Sequence, residues 1–121
     1  MKTALMTVLL ASFFVGCSFA ARNETMYKKD TRELLETRNG EVKGCYDGAL
    51  KTDGKAAGVV VVRFTVQAET GHVVNPEVDT ARSTAPTTLS DCVVEALSGL
   101  TLDPGDARDG DGTFTWEFAA R

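Results

Sequence analysis

The sequence has few of the residues on which catalytic and metal sites depend. It contains one histidine, His72, and three cysteines among 121 residues. Its spacings match no zinc site, Cys-x-x-Cys redox pair, phosphate-binding glycine loop or dinucleotide fingerprint. A serine hydrolase needs a nucleophile and an acid that converge on the histidine, and no serine lies in a nucleophile-elbow context. We therefore expect a non-enzymatic protein without a cofactor, and a small hydrolase that uses His72 is the disfavoured alternative.

Positive charge and proline are also scarce. Lys and Arg number 13 against 17 Asp and Glu, which gives a net charge of -4. Because phosphate contacts need clustered Lys and Arg, this balance excludes a typical nucleic-acid-binding protein, and it argues against attachment to anionic lipid by charge. Three prolines exclude a long stiff linker. The length and the ordinary balance of apolar and charged residues indicate one globular domain.

A long apolar run is missing as well. Residues 5–16 are apolar and follow Lys2, but a membrane-spanning helix needs about 20 such residues. The pattern is typical of a secretory signal peptide, which we place at residues 1–20. Residues 21–29 are polar and are predicted to be a tether, and residues 30–121 are predicted to be the folded domain.

Two cleavage sites compete in the signal peptide. Residues 14–17 resemble a bacterial lipobox, which would leave Cys17 as a lipidated N-terminus. The alternative is ordinary cleavage after Ala20. The lipobox is the favoured interpretation. Ser18 stands after Cys17 in place of the Asp that is associated with inner-membrane retention, which favours the outer membrane. The sequence thus predicts an exported, periplasmic protein whose membrane contact is the N-terminal lipid.

Processing at either site leaves Cys45 and Cys92 as an even pair of cysteines. Two such residues usually form a disulfide in an oxidising compartment, and two buried free thiols are the alternative. By the chain-entropy model a bridge of this span contributes about 4 kcal/mol, where a small domain has a total stability of only about 5–15 kcal/mol. The predicted disulfide could therefore decide whether the domain stays folded.

Hydrophobic periodicity predicts five elements after the tether. In chain order they are a helix over residues 30–50, strands over 58–68 and 73–79, a helix over 89–100 and a strand over 113–119. Asn39 and Gly40 are expected to kink or split the first helix. Thr88 and Asp91 resemble a capping box for the second helix, and Gly99 is its expected C-cap.

Each predicted strand has one apolar face, so the strands are expected to form one sheet covered by the helices. Pro76 lacks an N–H group and places the second strand at an edge. The simplest arrangement has the first strand in the centre, antiparallel to both neighbours. The predicted fold is α+β, with two layers, and Cys45 and Cys92 would link its two helices on the sheet.

Several short motifs of this chain resemble a known family. They span residues 40–118 and comprise Cys45-Tyr46, Leu50, Gly58, the alternation Val60-Val62-Phe64-Val66, Gly71-His72-Val73, Asp91-Cys92-Val93 and Leu102-Asp103-Pro104. This set resembles the AgmX/PglI C-terminal domain, which is similar to the C-terminal domain of TonB. The resemblance implies that fold, a place in the cell envelope and a protein-binding role.

TonB-like domains take up partner segments by strand addition, in which main-chain hydrogen bonds supply the affinity. The resemblance thus implies that the last predicted strand, with Thr113, Thr115 and Glu117 on its polar face, binds a segment of another envelope protein. The alternative is an edge strand protected by Glu117 and by its shortness.

An acidic loop offers one further candidate site. Asp106, Asp109 and Asp111 could hold calcium through carboxylate oxygens. The spacing departs from that of an EF-hand, which needs acidic residues at fixed offsets and a closing Glu. A solvated turn is the favoured interpretation, and a calcium-responsive envelope module is the alternative function.

Overall fold

A computed structural model describes residues 19–119 of the chain. Within them the elements are β1 (Phe19–Ala20), α1 (Glu24–Glu36), α2 (Asn39–Thr52), β2 (Gly58–Val66), β3 (Val73–Val78), α3 (Thr87–Ala96), β4 (Gly105–Asp106) and β5 (Gly110–Phe118). The α+β fold is confirmed, with three described helices rather than two. The lipobox and Cys17 lie outside the described residues.

The main sheet has the strand order β3-β2-β5, and β2 is antiparallel to both neighbours. This confirms the predicted topology. The even-numbered positions of β2 face the helices, and Val60 and Val62 are completely buried there. Their partners on β5 are the aromatic residues Trp116 and Phe114. β5 begins at Gly110, ahead of the predicted residue 113, because two glycines hide its alternating pattern.

The N-terminal helix differs from its prediction. The side chain of Asn23 accepts a hydrogen bond from the N–H of Met26 at 2.8 Å and caps α1. Residues 24–29, assigned to the tether by their polar composition, are therefore helical. Only a narrow stripe of α1 faces the sheet. It includes Tyr27 and Thr31, which are too polar to reveal a helix by hydrophobic periodicity.

The break predicted within the first helix agrees with the structure, whereas the caps predicted for α3 do not. The predicted split of the first helix falls between α1 and α2, just before Asn39. The capping box predicted for α3 is wrong, because Pro86 is the N-cap residue and no side chain caps the helix. Thr88 lies inside the first turn instead. Gly99 has a φ of 78° but is not the predicted C-cap, because Leu97 holds that position and Gly99 lies two residues further along the chain.

The core fills the space between the helices and the sheet. It is formed by apolar side chains from both layers, namely Leu35, Val42, Val60, Val62, Phe64, Val66, Leu89, Val93, Leu97, Leu100, Leu102 and Trp116. Burial of this surface is the main favourable contribution to folding. In the part of the chain that the structure describes, no helix combines the length and the apolar character needed to cross a membrane.

A disulfide joins Cys45 of α2 to Cys92 of α3, with the sulfur atoms 2.04 Å apart. The predicted pairing is confirmed. Both cysteines are half-buried on the sides of the helices that meet each other. The bridge thus ties together two elements of the helical layer that are separated in the chain by the β2-β3 hairpin.

A second, two-stranded sheet ties down the start of the described chain. β1 pairs with β4 in parallel, so that Phe19 lies opposite Gly105 and Ala20 opposite Asp106. The backbone N–H of Arg22 then donates to the Asp106 carboxylate at 3.1 Å. Residues 19–22 are therefore docked on the domain, where the sequence predicted the end of a signal peptide and the start of a tether.

Candidate partner-binding edge

β5 lies at an edge of the main sheet and pairs with β2 along its whole length without a bulge. On its other side, no main-chain hydrogen bond joins it to any residue between 19 and 119. Thr113, Thr115 and Glu117, the predicted binding residues, are all exposed. The structure thus brings the candidate residues together on one open strand.

The direction of the main-chain groups of β2 follows from its contacts on the β3 side. The carbonyl oxygen of Val61 accepts from the N–H of Asp79, and that of Val59 accepts from the N–H of Thr84, both at 2.8 Å. Main-chain groups of successive residues in a strand point to opposite sides. The odd-numbered residues of β2 therefore point toward β3, and the even-numbered residues point toward β5.

This alternation continues into β5. Phe114 and Trp116 lie opposite even-numbered residues of β2, so their N–H and C=O groups complete the β2 ladder. The main-chain groups of Thr113, Thr115 and Glu117 consequently point away from the sheet. The three residues predicted from the sequence are thus the ones whose backbone can pair with an added strand.

The opposite edge of the sheet is blocked. Asn75 in β3 has a φ of 53°, which breaks the extended geometry, and Pro76 has no N–H to donate. The N–H of Val73 already donates to the carbonyl of Leu100 at 3.0 Å. Proline and irregular backbone geometry commonly protect natural edge strands, and β5 contains neither. The charge of Glu117 is the protecting feature that this strand retains.

The three carboxylates of the acidic loop bind different parts of the chain and do not converge as the alternative calcium site requires. Asp106 is buried and receives the backbone N–H of Arg22, Asp109 accepts from the N–H of Ala68 at 2.6 Å, and Asp111 accepts from the Thr65 hydroxyl at 2.9 Å. Among residues 19–119 no group of three or more potential ligands is placed to hold a metal ion. The carboxylates serve the protein's own N–H, hydroxyl and guanidinium groups instead.

His72 lies at the surface, next to the hairpin turn. Its Nδ1 is 3.2 Å from the hydroxyl oxygen of Thr101, and the two residues form an isolated bridge. The hydroxyl of Ser83 hydrogen-bonds to the backbone of Val61, and Ser90 is buried in α3. The structure therefore does not bring these serines to the histidine.

Arg22 is a structural residue that the sequence did not reveal. Its side chain is only 5% exposed and its Nε lies 2.6 Å from the Asp30 carboxylate. A second nitrogen, Nη2, donates to the carbonyl of Pro104 at 2.8 Å, and Nη1 is 3.6 Å from the Asp106 carboxylate. No local pattern predicts this burial, because the partners lie far away in the chain.

A groove runs between α1 and the first half of β5, and we call it the α1–β5 groove. Its volume is about 740 Å³, and Phe64 and Phe114 contribute its apolar surface. A side chain at Gly112 would fill the space taken by the Phe64 ring, because a Cβ there would lie 2.5 Å from the Phe64 Cζ. Lys28, Lys29 and Arg32 line the side formed by α1.

Tyr27 lines this groove, and its ring packs against Gly110. Burial raises the pKa of the Tyr27 hydroxyl above its ordinary value of 10.0, and the nearby carboxylates of Asp106 and Asp111 raise it further. The Arg22 guanidinium acts in the opposite direction. The hydroxyl is therefore neutral across the physiological pH range.

No model of a known protein family matches this chain, and no curated protein matches it. Membership in the AgmX/PglI family is therefore not confirmed. Among solved structures, the chain is similar to the NMR solution structure of the Helicobacter pylori TonB-CTD (residues 179–285). The TM-score is 0.50 at 17% sequence identity, over 67% of this chain and 78% of that one. The likeness shows a TonB C-terminal-like fold.

Proposed function

We propose that this chain is a non-enzymatic lipoprotein of the cell envelope whose TonB-like domain binds another envelope protein by strand addition to β5. The observation that carries the proposal is the open main chain of Thr113, Thr115 and Glu117. A row of unpaired N–H and C=O groups is a template for an extended segment, and its hydrogen bonds supply affinity without requiring a deep pocket.

A proline at position 115 tests this proposal. Because the Thr115 N–H points away from β2, Thr115→Pro removes an outward donor and leaves the β2 ladder intact. Thr115→Val keeps the N–H and serves as the control. We expect the wild type and Thr115→Val to capture the same protein from an envelope extract of the native host, and Thr115→Pro to lose it while it still melts cooperatively. Equal capture by Thr115→Pro would contradict strand addition at β5.

Should Thr115→Pro fail to fold, Glu117→Pro offers a second test nearer the end of the strand. The same alternation places its N–H on the open side of β5. Fraying is cheaper at a strand end, so this variant is expected to keep the fold and to weaken capture. Unchanged capture by a folded Glu117→Pro protein would count against the proposal.

The lipid anchor on Cys17 is the second part of the proposal. Cleavage before Cys17 retains Phe19 and Ala20, and with them the pairing of β1 to β4. Cleavage after Ala20 would remove that strand from the mature protein. The pairing of residues 19–20 with β4 therefore supports processing at the lipobox. The intact mass of the protein purified from membranes tests it, and a mature chain that begins at Ala21 without lipid would contradict it.

A further inference from the structure

We propose that the segment added to β5 is acidic and inserts one large apolar side chain into the α1–β5 groove. This inference rests on the strand addition proposed above and names the chemistry of the partner. The groove opens on the β5 edge, since consecutive residues 111–114, from both faces of the strand, line it. An added strand would therefore lie along the groove.

The charge of the groove selects the partner. Lys28, Lys29 and Arg32 place three positive charges on its wall against one negative charge, Asp111, although the whole chain has a net charge of -4. Lys28 pairs with Glu24 at 3.0 Å and Arg32 lies 3.9 Å from Glu36, but these side chains are exposed and such pairs are weak. Lys29 forms no ion pair with the described residues. This basic wall favours carboxylates on the partner.

The apolar part of the groove selects a side chain. Gly112 faces the helical layer, and its missing side chain leaves the Phe64 ring next to the strand edge. A residue opposite Gly112 on an added strand would have room above the ring. An aromatic side chain beside a glycine in a neighbouring strand is a known stabilising arrangement. Phe114 continues the apolar surface two residues further along the same face.

The two features together give a recognition pattern. Residues two apart on an added strand share a face. A glutamate, a phenylalanine and a glutamate at alternate positions would therefore all point toward α1, with the phenylalanine opposite Gly112 and a glutamate on either side within reach of the basic wall. The intervening residues would lie on the open face beside Asp111 and Thr113.

Short peptides test this pattern directly. The first is a blocked peptide, Thr-Glu-Thr-Phe-Thr-Glu-Thr, with a fluorescent label. The second replaces both glutamates with lysine, and the third replaces the phenylalanine with alanine. Each is titrated by fluorescence anisotropy against the processed full chain purified from membranes. We expect the glutamate peptide to bind at least about fivefold more tightly than either variant, and more weakly at high salt.

Variants of the protein provide the matched half of the experiment. Lys28→Glu with Lys29→Glu reverses the wall, and the two glutamates are tolerated in the first half of a helix. Lys51→Glu with Lys55→Glu makes the same change of charge at exposed positions away from the groove. We expect the first pair to reverse the preference between the glutamate and lysine peptides, and the second pair to leave it unchanged.

The outcomes separate the acidic partner from the strand addition on which it depends. Suppose that peptide binding is lost in Thr115→Pro but is equal for the glutamate and lysine peptides. That result would overturn the acidic partner and would still support strand addition. The acidic partner is overturned in the same way if no peptide binds while capture from the envelope extract still depends on the Thr115 N–H. If the wild type self-associates and Thr115→Pro does not, a second copy of the chain is the segment added to β5. That result would overturn the proposal of an acidic partner. Binding that ignores Thr115→Pro would overturn both.

Discussion

Gly112 and Gly44 differ in the space available for a side chain. A Cβ at Gly112 would lie 2.5 Å from Cζ of Phe64, whereas a Cβ at Gly44, in the interior of α2, would meet nothing within 4 Å. We expect Gly112→Ala to destabilise the fold by about 1–3 kcal/mol through overpacking. Gly44→Ala should stabilise it by about 0.5–1 kcal/mol, because alanine loses less entropy in a helix. Urea denaturation measures both.

Comparison of the two variants shows whether the groove at Gly112 is rigid and whether the surface of α2 at Gly44 is open. If Gly112→Ala left the free energy of unfolding unchanged, the Phe64 ring would be able to move into the core. The apolar surface of the groove would then be deformable. A destabilising Gly44→Ala would indicate that something not contained in residues 19–119 occupies that side of α2. Gly48 has the same open surroundings as Gly44 and provides an independent repeat of the stabilising substitution.

Titration of Tyr27 is predicted to lower the stability of the fold at alkaline pH. Its pKa is raised above the ordinary 10.0, chiefly by burial and then by Asp106 and Asp111. Above about pH 10 the unfolded chain loses the phenolic proton while the folded chain keeps it, so unfolding releases a proton and stability falls as pH rises. Below that pH the contribution is fully present.

Tyr27→Phe removes this titration and should flatten the alkaline loss of stability. Melting temperatures of the wild type and Tyr27→Phe between pH 7 and pH 12 measure it. Parallel curves for the two proteins would show that another group governs alkaline unfolding.

At the scale of elements, the sequence predicted the strands in which apolar and polar residues alternate. β2 and its apolar helical-face residues were predictable because Val60, Val62, Phe64 and Val66 alternate strictly. The start of β5 was not, because Gly110 and Gly112 carry no hydrophobic signal. The first turns of α1, residues 24–29, were assigned to the tether because the sheet-facing stripe of this helix contains polar residues. The edge residues were correctly placed together, since their position follows from strand order rather than from local chemistry.

The disulfide is the covalent link between α2 and α3. Cys45 and Cys92 are 47 residues apart in the sequence, and the chain-entropy model gives about 4 kcal/mol for a loop of this size. We expect Cys45→Ser, or reduction of the wild type, to lower the free energy of unfolding by up to about that amount. Thermal denaturation with and without reductant measures it.

The double variant Cys45→Ser with Cys92→Ser is the control for the disulfide experiment, because reductant should not change its melting temperature. A wild-type melting temperature that is unaffected by full reduction would contradict a stabilising role for the bridge. The thiol count of the reduced sample confirms that the bridge was opened.

At the scale of the whole molecule, Arg22 joins the beginning of the described chain to α1 and to the segment around β4, which lies more than 80 residues later. Its guanidinium contacts Asp30 of α1, the carbonyl of Pro104 and, at the end of β4, Asp106. Because Asp30 belongs to α1 and α1 contacts β5, we expect this latch to help hold α1 beside β5, where the α1–β5 groove forms. Loss of the latch should therefore weaken the domain and loosen the proposed partner site together.

Arg22→Gln tests the latch, because it removes the charge and leaves two carboxylates, one of them buried at Asp106, without their cation. Breaking one side of a buried ion pair typically costs about 3–5 kcal/mol, and the partly exposed Asp30 places the expected loss at the lower end. Arg22→Lys keeps the charge but not the planar donor geometry, and it should recover part of the loss. Urea denaturation gives the stabilities, and hydrogen exchange at α1 reports its release from the sheet. Equal stability of the wild type and Arg22→Gln would show that the Arg22 latch contributes nothing to the stability of the fold.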